Sequence, residues 1–181
     1  MQKVIVIGCP GSGKSVFSAE LAKIINLPLI HLDALYHRPD WPENELEKKS
    51  AWREFLTHLV QDKKWIIDGN YKSTLDIRII AADTIIFLDY SRSLSIWRAV
   101  KRFWQFRNKK RFDMPDTWKE KIDWEFLRLI WTYRKEQRPV VLQMLDGNKN
   151  DKNIVILQNP HVTKKFLSSP QLRSVLRGKP L

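Results

Sequence analysis

Short runs of apolar residues recur along the chain and predict the strands of a buried sheet. Each run is apolar almost throughout, which is typical of parallel strands covered on both faces. The runs are Val4–Ile7, Pro28–Leu32, Trp65–Ile67, Thr84–Leu88 and Asn153–Leu157. Between them, apolar residues recur at helical spacing, as in Phe17, Leu21 and Ile24. The alternation predicts an α/β fold of three layers, with a five-stranded parallel sheet flanked by helices.

The segment between the fourth and fifth predicted strands is unusually long. It spans about 65 residues, whereas a parallel crossover needs only about a dozen. Helical patterns occupy positions near 92–111 and 117–137, and a Pro-containing turn at 113–116 joins them. We therefore expect a single domain over 1–181 that carries a helical, lid-like insertion at 92–138.

Composition favours a folded protein of the cytoplasm. The 181 residues are 43% hydrophobic and 29% charged, which suits a domain with a sizeable core. The single cysteine, Cys9, excludes a disulfide within the chain and fits a reducing compartment. No apolar run approaches the length that spans a bilayer, so we expect no membrane partner.

The positive charge is concentrated in the second half of the chain. Residues 1–90 hold 11 Lys/Arg and 12 Asp/Glu, whereas residues 91–181 hold 21 and 8. The second half therefore carries a net charge of +13 and the first half −1. Such a basic half is either solvated or faces an anionic partner, and nucleotide phosphates and nucleic acid are both candidates.

The segment Gly8-Cys9-Pro10-Gly11-Ser12-Gly13-Lys14-Ser15 fits the phosphate-binding pattern G-x-x-x-x-G-K-[ST]. It follows a predicted strand and opens a helical pattern, which is the context that the pattern requires. We expect Lys14 to reach the β- and γ-phosphates of ATP and Ser15 to bind Mg²⁺. The candidate nucleotide-binding residues are Gly8, Pro10, Gly11, Ser12, Gly13, Lys14, Ser15 and Val16. The alternative is a chance Gly/Ser-rich turn.

Aspartates follow three of the predicted strands. Ligands of open α/β sheets bind beyond the carboxyl ends of the strands, where Asp33 and Asp68 fall. Either carboxylate can hold Mg²⁺ through water or act as a general base, and we assign Asp68 to the metal and Asp33 to catalysis. The alternative for both is helix capping, and capping is what we expect of Asp89.

The phosphate loop, Asp68-Gly69 at the end of the third strand and the basic insertion together resemble the adenylate kinase-like branch of P-loop kinases. The chain departs from the Asp-Gly-Phe-Pro-Arg segment of adenylate kinases, because Asn70-Tyr71 replaces Phe-Pro and the next arginine is Arg78.

More closely, segments 31–36, 66–71 and 123–127 resemble a bacterial group known as DNA topology modulation proteins, over nearly the whole chain to about residue 170. The resemblance implies a P-loop NTPase fold, ATP binding and phosphoryl transfer to a small-molecule acceptor. We place the acceptor over residues 34–62. Asp33 lies in a segment similar to the Asp-Ser-Phe-Tyr of uridine kinases, which favours a hydroxyl acceptor and a base at Asp33.

Arginines of the insertion complete the expected site. Arg98 and Arg102 are four residues apart and share one helix face. Resemblance implies that this pair contacts the phosphates of both substrates and that Arg134 and Arg138 come in from the lid. It also implies that the loop at Asn159 and Pro160 packs against adenine; a plain strand-to-helix turn is the alternative.

Tryptophans of the insertion occur in pairs seven residues apart, Trp97 with Trp104 and Trp124 with Trp131. That spacing predicts the core of a packed helical hairpin. Basic and aromatic residues together are also typical of surfaces that bind single-stranded nucleic acid. The alternative to a kinase is therefore a nucleotide-regulated nucleic-acid-binding protein that uses its basic C-terminal half.

Overall fold

The computed structural model describes residues 1–107, 109, 111–115, 121–169 and 172. Its strands form one parallel sheet. Its strands are β1 (Lys3–Gly8), β2 (Leu29–His31), β3 (Trp65–Asp68), β4 (Thr84–Leu88) and β5 (Asn153–Leu157). They are arranged in the order β2-β3-β1-β4-β5, and all neighbours are parallel. The predicted strands are confirmed. The chain order reverses at β1, so the loop after β1 lies at the switch point where α/β sheets bind ligands.

Helices cover both faces of the sheet. They are α1 (Lys14–Ile25), α2 (Leu32–Tyr36), α3 (Glu45–Leu59), α4 (Leu75–Ala81), α5 (Arg92–Phe106), α6 (Trp124–Glu136), α7 (Arg138–Asp146) and α8 (Pro160–Ser168), with a 3₁₀ turn at Lys72–Thr74. Side-chain oxygens of Asn44, Ser91, Asp123 and Asn159 accept hydrogen bonds from backbone N–H groups at the starts of α3, α5, α6 and α8. These caps fix where each helix begins.

The alternating side chains of β1 divide the core into two layers. Ile5 and Ile7 pack with Trp52 on the face covered by α3. Val4 and Val6 pack with Phe17 and other residues on the face covered by α1. Burial on both faces explains why the strands are apolar throughout.

The insertion between β4 and β5 differs in detail from the prediction. Its first helix ends at Phe106 instead of near 111, and its second begins at Trp124, where Asp123 caps it. Residues 116–120 lie outside the described part of the chain. Helix α7 was not predicted; Pro139 stands in its first turn, where proline is tolerated.

The tryptophans of the insertion lie on its outer surface, and the expectation that they form its core is wrong. Trp97, Trp104, Trp124 and Trp131 are 57%, 67%, 77% and 54% exposed. The buried faces of α5 and α6 instead carry residues such as Ala99 and Ile130. Ala99 lies close to Gly11, 3.5 Å from where a Cβ atom on that glycine would be. Arg92 lies 4.0 Å from the centroid of the Trp131 ring and partly covers it.

Within the part of the chain described, no helix has the length and apolar character needed to cross a membrane.

Candidate functional site

The phosphate loop joins β1 to α1 in a conformation that glycine permits. Gly11 and Gly13 have φ angles of 80° and 92°, in the left-handed region that other residues avoid. The Ser12 amide donates to the Cys9 carbonyl at 3.0 Å, which closes a tight turn. The Gly8 amide donates to the side-chain oxygen of Asn70 at 3.1 Å, so the loop after β3 supports the loop after β1.

The insertion packs directly against the phosphate loop. A Cβ atom on Gly11 would lie 2.3 Å from the Ser95 carbonyl oxygen of α5. The Cys9 thiol points to the carbonyl of Ile130 in α6, at 3.9 Å. Burial raises the pKa of Cys9 to about 11, so the thiol is neutral and has a packing role. A movement of α5 or α6 would therefore displace the phosphate loop.

Lys14 is hydrogen-bonded to the phosphate loop and lies near the charges of two aspartates. Its ammonium donates to the carbonyls of Gly8 and Cys9 at 3.1 and 3.3 Å. Burial lowers the pKa of Lys14, while the nearby charges of Asp33 and Asp68 oppose that shift. The structure thus brings together three residues that the sequence analysis assigned to one site.

Asp68 is a buried carboxylate with one oxygen engaged and the other open. It is 3% exposed, and one oxygen lies 2.8 Å from His31 Nδ1. Its Oδ2 is buried without a hydrogen-bond partner in the described structure. Burial would lower the pKa of His31, but the hydrogen bond and charge of Asp68 raise it overall. His31 therefore favours its cationic form beside Asp68.

Asp33 lies in the first turn of α2 and is oriented by Tyr71. The Tyr71 hydroxyl donates to Asp33 Oδ1 at 2.9 Å. Burial, with the neighbouring charge of Asp33, raises the pKa of Tyr71, so the phenol remains a hydrogen-bond donor. Tyr71 itself has a φ of 22°, an uncommon value for a non-glycine residue. The surrounding structure therefore holds this tyrosine in place.

Arg78 restrains the loop that contains Tyr71. Its guanidinium is fully buried and donates to the carbonyls of Gly69, Asn70 and Tyr71 at 2.7, 2.7 and 3.0 Å. Burial lowers the pKa of Arg78 to about 10. Its donors face backbone carbonyls of the loop, which gives this arginine a structural role.

The first arginine pair of the insertion lies at the phosphate loop. Arg98 donates to the Ser12 carbonyl at 2.6 Å, and a Cβ atom on Gly13 would lie 3.1 Å from its Nη1 atom. Arg102 is near enough to Lys14 to contribute to the lowering of the lysine's pKa. Both arginines are therefore near any phosphate that the loop holds.

The second arginine pair is placed differently. Arg138 forms a two-pronged ion pair with Asp89, with both N–O distances 2.7 Å. Asp89 thus binds an arginine, and the expectation that it caps a helix is wrong, because Ser91 caps α5. Arg134 is exposed on α6. Arg98, by contrast, bonds directly to the phosphate loop.

The loop after β5 forms a helix cap. The Asn159 side chain accepts a hydrogen bond from the Val162 amide at 2.9 Å, and Pro160 is the first residue of α8. The segment thus forms a strand-to-helix turn at the carboxyl end of β5. The side chain of Val16, at the start of α1, is 56% exposed.

One carboxylate at the site was missed by the sequence analysis. Asp113 is 2% exposed, and Arg111 donates to its two oxygens at 3.0 and 2.6 Å. Burial would raise the pKa of Asp113, but the charge of Arg111 and the nearby Ser15 hydroxyl lower it overall. The ring of the neighbouring Phe112 packs edge-on against His31, with ring centroids 5.5 Å apart. No sequence signal marks this residue, which is part of an ordinary turn pattern.

The residues present fit Mg²⁺ that arrives with a nucleotide. The Ser15 hydroxyl and the open oxygen of Asp68 are hard oxygen donors of the type that Mg²⁺ prefers. No group of three or more His, Cys, Asp or Glu side chains is poised to hold a metal ion among the described residues. A cation that keeps several waters and binds substrate phosphates needs no such cage.

No known family model matches the sequence. Solved structures of similar fold include a shikimate kinase from Acinetobacter baumannii in complex with shikimate, with a TM-score of 0.66, 12% identity and coverage of 99% of this chain and 95% of that one. A gluconokinase from Sinorhizobium meliloti 1021 has a TM-score of 0.57 and 17% identity, covering 98% and 94%. A shikimate kinase from Bacteroides thetaiotaomicron has a TM-score of 0.52 and 13% identity, covering 96% and 97%. The chain therefore has the fold of small P-loop kinases.

Proposed function

We propose that this protein is an ATP- and Mg²⁺-dependent kinase that phosphorylates a hydroxyl group of a small molecule. The observation that carries the proposal is the convergence of Lys14, Asp33 and Asp68 at one end of the sheet, beside a glycine-rich loop. Phosphoryl transfer needs a phosphate cradle, cations and an oriented acceptor, and each has a counterpart here.

On the nucleotide side, the backbone amides of the phosphate loop and the first turn of α1 bind the phosphates of ATP. Lys14 neutralises charge on the β- and γ-phosphates. Ser15 and Asp68 hold Mg²⁺, which offsets the negative charge of the phosphates. Gly8, Pro10, Gly11, Ser12, Gly13 and Val16 shape the cradle. The backbone near Asn159 and Pro160 borders the adenine.

On the acceptor side, Asp33 accepts the proton of the attacking hydroxyl. Tyr71 aims one oxygen of that carboxylate through its 2.9 Å hydrogen bond. A base is useful to a hydroxyl acceptor and not to a phosphate, which is already ionised at neutral pH. The acceptor lies over residues 34–62. Shikimate and gluconate, which the similar proteins' names indicate, are both polyhydroxylated and belong to the class proposed here.

Arginines of the insertion stabilise the charge that spreads over the transferred group. Arg98 is the best placed, because it already bonds to the phosphate loop at Ser12. Arg102 lies one turn further along α5. Arg134 and Arg138 join when the insertion at 92–138 closes as a lid and excludes water; Arg138 first has to leave Asp89.

The test is a phosphoryl-transfer screen with Mg²⁺-ATP and a panel of nucleosides, nucleoside monophosphates and hydroxylated metabolites that includes shikimate and gluconate. We expect ADP release that depends on one acceptor class and is lost in Lys14→Ala. Lys23→Ala, at an exposed position at the end of the same helix, is the matched control and should retain activity. ADP release equal in both variants would refute the site.

The role of Asp33 is tested separately in single-turnover experiments on that acceptor. Asp33→Asn should slow the chemical step by about 100-fold or more, as general-base catalysis typically contributes. An unchanged chemical step would show that Asp33 is not the base. An acceptor that proves to be a nucleoside monophosphate would lead to the same conclusion.

A second candidate function, binding of single-stranded nucleic acid regulated by nucleotide, is favoured by the exposed tryptophans of the insertion. Lys101 lies 5.0 Å from the centroid of the Trp97 ring, and such basic-aromatic surfaces stack bases. A cavity of about 570 Å³ near the end of α5 adds to this surface. It is lined by Trp104, Gln105, Phe106, Arg107 and Lys109.

Filter binding of a single-stranded oligonucleotide over a salt series tests this candidate. Affinity should fall steeply with salt, and Trp104→Ala should weaken binding by about 1–3 kcal/mol at every salt concentration. Trp65→Phe, a buried control within β3, should leave binding unchanged. Equal binding by Trp104→Ala and the wild type would reduce the interaction to nonspecific charge attraction.

A further inference from the structure

Asp113 is a buried carboxylate to which the proposed function assigns no role. Its carboxylate comes from the insertion, more than 95 residues along the chain from Ser15, and still lies near the Ser15 hydroxyl. Burying a carboxylate is costly unless it is paired and hydrogen-bonded. Arg111 provides the pairing through two short hydrogen bonds, so the insertion itself holds this carboxylate in place.

Besides Arg111, two groups near Asp113 belong to the metal side of the site. Ser15 is the residue of the phosphate loop proposed to bind Mg²⁺. His31 contributes to the electrostatics of Asp113 and is bonded at 2.8 Å to Asp68. Asp68 in turn has a buried oxygen with no hydrogen-bond partner in the described structure. Three elements of the fold therefore bring oxygen donors towards one place.

We propose that Asp113 is a residue of the Mg²⁺ site, where its carboxylate joins Ser15 and Asp68 in the oxygen shell of the nucleotide-bound metal. The inference rests on the proposed function, because the metal arrives with the nucleotide. Asp113 binds the ion directly or accepts a hydrogen bond from one of its waters, and Arg111 keeps the carboxylate in position. The described side chains form no cation cage by themselves, which fits a shell completed by phosphate.

The geometry around Asp113 agrees with this role. Arg111 holds its two oxygens at 3.0 and 2.6 Å, and the ring of the adjacent Phe112 packs against His31, which is bonded to Asp68 at 2.8 Å. Because Asp113 belongs to the insertion, the metal links the insertion to the phosphate loop and makes its closure sensitive to Mg²⁺.

The opposite interpretation makes a different prediction. A carboxylate beside the phosphate loop can also repel nucleotide phosphates and so hold the site closed to metal-free nucleotide. Removal of its charge would then strengthen nucleotide binding in the absence of Mg²⁺. A metal-site residue predicts a loss that occurs only when Mg²⁺ is present.

The experiment titrates the full-length protein with a fluorescent N-methylanthraniloyl-ADP, once with excess Mg²⁺ and once with EDTA. Asp113→Asn should weaken binding about 10- to 100-fold with Mg²⁺, the usual effect of losing a group that supports a metal. Its affinity in EDTA should match that of the wild type. Asp76→Asn is the matched control, since Asp76 is an aspartate paired with Arg53 at 2.6 Å on the exposed surface, and it should change neither affinity.

A second readout measures the metal directly. Electron paramagnetic resonance of Mn²⁺ in the presence of ADP should show weaker Mn²⁺ binding to Asp113→Asn than to Asp76→Asn. Asp113→Glu retains the charge and its Arg111 partner but displaces the carboxylate by one methylene. It should show a smaller loss, again confined to the metal-containing buffer, and it decides the question if Asp113→Asn does not fold.

The outcomes separate the two proposals. Three results for Asp113→Asn would overturn the metal role and leave nucleotide binding intact. They are an unchanged Mg²⁺-dependent affinity, an equal loss of affinity in EDTA, and tighter binding of metal-free nucleotide. A wild-type protein that binds no nucleotide in either buffer overturns the proposed function and, with it, the role of Asp113.

Discussion

Gly11 offers the sharpest test of the packing between the phosphate loop and the insertion. In Gly11→Ala, the new Cβ would lie 2.3 Å from the Ser95 carbonyl oxygen, whereas ordinary contact begins at 3.4 Å. The atom it meets belongs to the backbone of α5, which cannot rotate away as a flexible side chain can. The substitution therefore forces α5 and the loop apart.

The magnitude follows from two terms. An alanine at a φ of 80° costs about 1–2 kcal/mol, since its Cβ crowds the neighbouring carbonyl. Overpacking a site whose neighbours must shift costs about 1–3 kcal/mol more. We expect the free energy of unfolding to fall by about 2–5 kcal/mol, as the sum of these terms.

Gly147→Ala is the matched control. Gly147 has a φ of −63°, and a Cβ there would meet its nearest atoms at 3.6 and 3.7 Å. This variant should be neutral or more stable by about 0.4–1 kcal/mol, because alanine restricts the unfolded chain. Both variants are measured by urea unfolding followed through tryptophan fluorescence. A Gly11→Ala protein as stable as Gly147→Ala would refute the direct contact between α5 and the loop.

Three further predictions concern charged groups. His31→Gln should remove a stabilisation that is fully present below about pH 6.5, the pKa of the unfolded state, and lost as pH rises through the raised pKa of the folded state. The unfolding free energies of the variant and the wild type, measured from pH 5 to 9, should therefore converge at high pH. A constant difference between them would contradict the link to Asp68. Arg98→Ala should lower kcat by about 100-fold or more with little change in stability, as expected of a cation that acts on the transferred group; a change in KM alone would place it in ground-state binding. Arg138→Ala should cost about 3 kcal/mol in urea unfolding because Asp89 is left buried and unpaired, and a loss below about 1 kcal/mol would show that water reaches the carboxylate.

The fold could be predicted from the sequence because its signals are local. The apolar runs, such as Trp65–Ile67, are short and bounded, and the phosphate loop is a contiguous segment whose glycines have a defined conformational role. The boundaries of the insertion were less predictable. In the sequence, no Gly or Pro follows the end of α5 at Phe106 before Pro115, and the start of α6 depends on one hydrogen bond that Asp123 accepts from the Phe126 amide.

The aspartates of the candidate site were predictable only where they follow strands. Asp33 and Asp68 follow strands and were found, since the sheet topology fixes where they point. Asp113 reaches the site through the path of a long insertion, and no local pattern encodes that path. The ion pair between Asp89 and Arg138 is also a long-range contact, so capping, the local alternative, was the wrong expectation for Asp89.

The buried guanidinium of Arg78 has a consequence for how the protein opens. Three of the carbonyls that it binds belong to the loop that carries Asn70 and Tyr71, whereas Arg78 itself belongs to α4. This loop cannot unfold alone, because its release would take three hydrogen-bond acceptors away from the buried guanidinium of Arg78. Loop and helix therefore form one cooperative unit of local unfolding, whose amides exchange hydrogen with solvent together. The hydrogen bond that Tyr71 donates to Asp33 is thus supported by a loop that α4 holds in place.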